Sequence, residues 1–155
     1  MSKSLKRVCA DAEARGLTIE PRRLDDGTTT AAMAAEAVGG AVGQIVKSVV
    51  LRAAGGGEHV LFLTSGDNQV DLSRASDVAG VTLEKADAAS IRETTGFAIG
   101  GVSPLGHKTP IRTFFDPHLN SFQRVWAAAG TPHHVFEIAP DVLKEATGAQ
   151  EAAFT

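Results

Sequence analysis

Lys47 is the first residue that demands a chemical explanation. It sits within Ile45-Val46-Lys47-Ser48-Val49-Val50-Leu51, a β-branched run apolar on both parities, as a strand covered on both faces would be. An ammonium there must pair with a carboxylate, lose its proton, or project into a cleft that receives an anion, because an unpaired buried charge is strongly unfavourable. The cleft is the functional alternative; a snorkelling or structurally paired lysine is the plain one. A second feature is Gly100-Gly101-Val102-Ser103-Pro104. Glycines let backbone N–H groups approach a ligand closely, and the proline fixes the exit of the loop. Such a loop can offer donors to a phosphate or to a developing oxyanion, or it can be an ordinary turn between strands. It is neither a Walker loop, lacking Gly-Lys-Ser/Thr, nor a dinucleotide fingerprint, its third glycine being misplaced.

The histidines form no metal-ligand spacing. His133 and His134 open a strand, so one side chain faces in and the other out, while His107 ends the glycine loop and His59 and His118 lie near turns. The lone Cys9 cannot close an intramolecular disulfide or make a zinc site by itself, and its place on an apolar helix face marks it as a structural thiol. No Gly-x-Ser-x-Gly elbow is present. No metal and no cofactor are expected.

Several elements must position these groups. Leu5, Val8, Cys9 and Ala12 have helical spacing after Ser2 or Ser4, with Gly16 as a stop. Residues 18–23 read as a short strand, and Thr28 to Thr30 cap an alanine-rich helix ending at Gly39-Gly40. The lysine strand turns at Gly55-Gly56-Gly57 into an antiparallel partner over residues 59–64. Asp71 or Ser73 and then Asp87 cap two short helices stopped by Gly80 and Gly96, with a brief strand at 81–83 between them. Strands follow at 111–115, 123–128 and 134–138, and Pro140 starts a closing helix. Short helices among strands of mixed direction predict a mixed α/β fold, with one domain over residues 1–149 and a tail over 150–155.

Composition narrows the function. The chain has 155 residues, enough for one domain but hardly for two. Hydrophobic residues make up 43%, so a sizeable core is available, yet aromatics reach only 5%, with no Tyr and one Trp, which makes a base-stacking surface hard to build. No apolar run is long enough to cross a bilayer, and the mixed-charge start does not read as a secretory signal; a cytoplasmic protein is expected. The net charge of −3 argues against a generally basic nucleic-acid binder, but residues 1–23 hold six basic groups against three acidic. A local basic face could therefore meet phosphates. A sequence-reading DNA regulator is a poor fit, because no helix-turn-helix with a basic second helix is visible.

Ile45-Val46-Lys47-Ser48-Val49-Val50, then Asp71-Leu72, then Thr95-Gly96-Phe97-Ala98-Ile99-Gly100-Gly101-Val102-Ser103-Pro104-Leu105-Gly106 together resemble the YbaK and prolyl-tRNA synthetase editing-domain family, in order and spacing over nearly the whole chain. The resemblance implies a compact mixed, partly barrel-like sheet surrounded by short helices. It implies a free-standing, metal-independent hydrolase that cleaves the ester between a wrong small amino acid and tRNA, most often tRNA for proline. Lys47, Gly101 and Ser103 are then the candidate catalytic residues, with Lys47 on phosphate at the acceptor end. Gly100, Val102, Pro104, Gly130 and His134 are the candidate substrate-binding residues. The implied partners are the acceptor end of aminoacyl-tRNA and, secondarily, prolyl-tRNA synthetase, with neither DNA nor membrane. The alternative is a non-catalytic tRNA- or synthetase-binding module of the same fold. Ser48 stands where some members carry Asn, and Ala128 to Pro132 where the alanine-clearing branch has a His-Pro segment, so alanine specificity is not carried over.

Overall fold

A computed structural model describes residues 2–155. Its helices are α1 (Lys3–Ala14), α2 (Ala31–Val38), α3 (Leu72–Ala79), α4 (Ala88–Thr95) and α5 (Pro140–Thr147). The strands are β1 (Arg22–Arg23), β2 (Ile45–Ala53), β3 (His59–Ser65), β4 (Leu83–Lys85), β5 (Arg112–Phe115), β6 (Val125–Ala128), β7 (His134–Ile138) and β8 (Gln150–Glu151). Among the described residues these form one mixed sheet in the order β1-β7-β6-β2-β3-β5-β8, with β4 added beside β2.

Local chemistry explains the helix ends. Ser2, Thr30, Asp71 and Asp87 each accept a backbone N–H with the side chain at an N-terminus, and Gly39, Gly80, Gly96 and Gly148 terminate helices in the left-handed conformation. The expected strand at 18–23 is reduced to Arg22–Arg23, the only part that pairs with β7. The strand expected at 81–83 begins instead at Leu83. The Thr82 carbonyl accepts the Ala54 N–H, and β2 sets the register with Leu51 opposite Lys85.

The sheet is buried on both faces. Leu61 and Leu63 of β3 point into a core with Leu5, Val8, Phe97, Leu105, Phe136 and Leu143, whereas Val60 and Phe62 point into a second core with Leu51, Ala75, Phe114 and Phe154. This alternation is the period of two that a strand imposes. On β2, Val46 and Val50 belong to the first core and Leu51 to the second, so Lys47 lies on the second side, at its margin.

The expected C-terminal tail is corrected. Gln150 and Glu151 pair with Phe114 and Phe115, and Phe154 is fully buried, edge-on to Phe62 with ring centroids 4.9 Å apart. Its carbonyl also accepts the Asp71 N–H at 2.8 Å. The segment's polar start hid one apolar anchor that the second core requires. No helix among the described residues is long and apolar enough to cross a membrane.

Candidate active site

Lys47 is half-buried and takes part in no ion pair among the described residues. Its Nζ donates to the Asn68 carbonyl in the turn after β3. That turn is held by Asp116, only 3% exposed, whose carboxylate accepts the Ser65 N–H and the Asn68 Nδ2–H, each at 3.0 Å. One of the three ammonium donors is thus anchored, and the remaining two are left for a ligand.

The glycine loop is braced from outside. Arg7 on α1 sends Nε to the Gly106 carbonyl at 2.6 Å and Nη2 to the Gly96 carbonyl at 2.9 Å, and its guanidinium lies 4.7 Å from the Phe97 ring centroid. Asp11 accepts the Gly106 N–H at 2.8 Å. His107 donates Nε2–H to the Ser103 carbonyl at 2.6 Å, while its buried Nδ1 has no partner. Burial, more than the nearby Arg7, holds the His107 imidazole below its ordinary pKa, which keeps the neutral donor form.

The two glycines of the loop serve different needs. Gly100 has φ +88°, a backbone conformation that disfavours other residues, although space beside it is open as far as Pro132. Gly101 has no such dihedral. A Cβ there would meet the Thr131 backbone at 2.8 Å, so the loop lies flat against the segment that precedes β7.

These parts meet in one cavity of about 250 Å³. Lys47, Ser48, Gly100, Val102, Trp126 and His134 line it, and Thr28, Thr29, Thr30 and Ala31 close it with the N-terminal end of α2. Its volume is just under the ~300–1,000 Å³ of sites for drug-sized ligands, room for a small group. His134 Nδ1 shares a hydrogen bond with the Thr131 hydroxyl, 2.7 Å away, and that hydroxyl also accepts the His133 N–H at 3.2 Å. Burial and then the charges of Arg23 and His133 lower its pKa. The Ser48 hydroxyl is buried without a hydrogen-bond partner, as expected where a ligand atom completes the contact.

Lys47, Gly100, Val102 and His134 are therefore brought together, and other sequence candidates are not. Gly101 supports the loop from behind. Ser103 is fully buried and accepts the Leu105 N–H at 3.2 Å, which makes its hydroxyl part of the turn. Pro104 borders a different cavity, with Asp11, Arg15 and His107. Gly130, at φ +99°, faces α1, where a Cβ would lie 2.7 Å from the Ser4 carbonyl oxygen. Sequence reasoning missed the threonine run before α2 as a cavity wall, because its hydroxyls read only as helix caps. It also missed Trp126. Among the described residues no group of three or more His, Cys, Asp or Glu side chains is placed to hold a metal ion.

Comparison with known proteins bears on this cavity. YwhH of Bacillus subtilis (strain 168), an uncharacterized protein, is 30% identical over 118 residues, 76% of this chain and 74% of that protein. The multifunctional Ser/Thr-tRNA deacylase ProXp-y of Escherichia coli (strain K12) is 34% identical over 84 residues, 52% of this chain and 50% of its own length. A solved structure described as a candidate trans-editing enzyme for prolyl tRNA synthetase superposes with a TM-score of 0.94 at 44% identity, covering 100% of this chain and 98% of that one. The sequence profile of the aminoacyl-tRNA editing domain matches residues 25–146, from the strap before the threonine run to the last turn of α5, and the chain belongs to that family.

Proposed function

We propose that this protein is a trans-editing deacylase that hydrolyses the ester between a wrongly attached small amino acid and the 3′ end of tRNA, foremost tRNA for proline. The observation that carries the reading is the convergence of Lys47 and the Gly100–Val102 loop on one small cavity, in a chain of the editing-domain family. The names of the relatives, a Ser/Thr-tRNA deacylase and a candidate trans-editing enzyme, support hydrolysis over binding alone. We read residues 1–155 as one editing domain working in the cytoplasm, with prolyl-tRNA synthetase as the natural partner.

The chemistry needs little from the protein. An aminoacyl ester is already activated, so holding its carbonyl beside backbone donors and confining the attacking oxygen supply most of the acceleration. Water adds its oxygen to the carbonyl carbon and gives up a proton, the tetrahedral anion collapses with cleavage of the bond from that carbon to the ribose oxygen, and the ribose oxygen takes up the proton and leaves as a hydroxyl. Gly100, Gly101 and Val102 keep the loop backbone close to that carbonyl, Lys47 holds the flanking phosphate, and His134 borders the amino acid. The neutral imidazole of His134, oriented by Thr131, suits hydrogen bonding to the substrate.

The test is a panel of tRNAs mischarged with small amino acids. At least one should be deacylated well above its spontaneous rate by wild-type protein. Leaving the full panel intact would overturn the reading.

A further inference from the structure

The turn after β3 reaches two walls of the cavity at once. The Asn68 N–H donates to the Ser65 carbonyl at 3.0 Å and closes residues 65–68 into a β-turn. The Asn68 carbonyl receives the Lys47 ammonium. Gly66 packs so tightly that a Cβ there would overlap the Val42 carbonyl oxygen and stand 3.3 Å from the methyl of Ala31, the first residue of α2. Lysine and helix wall are thus both referred to these four residues.

A buried carboxylate holds the turn. Asp116 follows β5, its N–H donates to the Leu63 carbonyl at 2.9 Å, and it pairs with no cation among the described residues. Its Oδ1 accepts the His118 N–H at 3.0 Å and caps the short helical turn that begins at Pro117. Capping needs nothing more, and a serine or threonine hydroxyl supplies it elsewhere. The other oxygen, Oδ2, accepts the Ser65 N–H and the Asn68 Nδ2–H, and so clamps the first and last residues of the turn that anchors Lys47. The Ser65 hydroxyl adds a tie of its own, lying 2.6 Å from the Gly43 carbonyl and 2.8 Å from the Asp67 carboxylate.

We propose that Asp116 and Asn68 are positioning residues of the deacylation, which aim the Lys47 ammonium by fixing the carbonyl it leans on. The inference rests on the deacylase reading and adds to it two residues that act through Lys47 rather than on the substrate. A carboxylate set directly against Lys47 would neutralise it. Set one residue back, the carboxylate fixes the acceptor, while the ammonium keeps its charge and its two remaining donors for an anion. Asp116→Asn cannot preserve this arrangement, because an amide has one acceptor oxygen for donors on both sides and turns its own NH2 toward one of them.

Asn68→Ala is the first test, because Asn68 is only half-buried and its backbone carbonyl survives the change; Asp116→Asn is the second. On a mischarged tRNA that wild type deacylates, each should lower kcat/KM about tenfold, the scale of one charge-assisted contact. In a Lys47→Ala background neither should cost more than about twofold, since the group they aim is gone. A purely structural role would cost the same in both backgrounds. Isotope-labelled lysine ε-carbons report on the aim without RNA: the Lys47 resonance, identified by its loss in Lys47→Ala, should move in both variants. Wild-type kcat/KM in Asn68→Ala, equal losses with and without Lys47, or an unmoved Lys47 resonance would overturn the positioning role while leaving the deacylase reading intact. A moved resonance in a protein that deacylates no tRNA would keep the aiming of Lys47 and remove the deacylase reading.

Discussion

Arg7 and Gly106 are 99 residues apart in sequence, yet the guanidinium Nε of the first donates to the carbonyl of the second at 2.6 Å. The same side chain reaches Gly96 at 2.9 Å, so one arginine on α1 ties together both ends of the loop that borders the cavity. A lysine cannot reproduce this, because its single ammonium lacks the planar fork.

Arg7→Ala should therefore lower both stability and activity. Loss of charge-assisted bonds in a half-buried setting costs about 1.5–3 kcal/mol, read as a lower urea midpoint. The deacylation kcat should fall about tenfold or more as the loop loosens, because small misplacements at a reacting centre are costly. Arg7→Lys should lie between alanine and wild type.

Gly100 and Gly101 should fail differently. Gly101→Val drives a side chain into the Thr131 backbone, so the loop must lift; deacylation should drop about a hundredfold, with far-UV dichroism unchanged. Gly100→Ala has room but the wrong dihedral, and should lose about 1–2 kcal/mol of stability, measured by denaturation. If the two variants behaved alike, the distinction between dihedral and close approach would be wrong.

Acid should destabilise the fold through His107. Burial lowers its folded-state pKa, so the unfolded chain takes up a proton first as the pH falls below about 6.5. Stability is then full above that pH and declines as acid approaches the folded-state value. Lowered pKa values at His59 and His134, with burial the first cause in each, act in the same direction. In urea titrations between about pH 7 and 5, His107→Gln, which keeps a donor for the Ser103 carbonyl but no titrating group, should show a shallower decline than wild type.

Much of this architecture was legible in the residues. Helix limits followed from Thr30, Asp71 and Asp87 as caps and from Gly39, Gly80 and Gly96 as stops, because capping is a local interaction. The lysine strand stood out through its mismatch between charge and surroundings. What the sequence concealed was long-range. The fork at β2 depends on where β4 and β6 dock, Ser103 stood among the catalytic candidates although its hydroxyl closes a turn, and Gly130 stood among the substrate-binding ones although it makes room for α1. Phe154 seemed part of a loose end because its partners Phe62 and Phe114 lie far away in the chain.

That aromatic supplies a prediction remote from the cavity. Phe154→Ala removes a fully buried ring and should cost about 3–5 kcal/mol in denaturation, with deacylation near wild type at temperatures where the variant stays folded. A variant as stable as wild type would show that the C-terminal segment does not seal the second core.

The central claim is that the Lys47 ammonium, steadied by the Asn68 carbonyl and free of any carboxylate, serves the RNA end of the substrate. The most direct measurement is kcat/KM of wild type, Lys47→Ala and Lys47→Arg on one mischarged tRNA, with urea midpoints recorded in parallel. Lys47→Ala should lose about ten- to a hundredfold at nearly unchanged stability, the scale of a lost charge-assisted contact to phosphate, and Lys47→Arg should recover part of it. Full activity in the alanine variant would contradict the account.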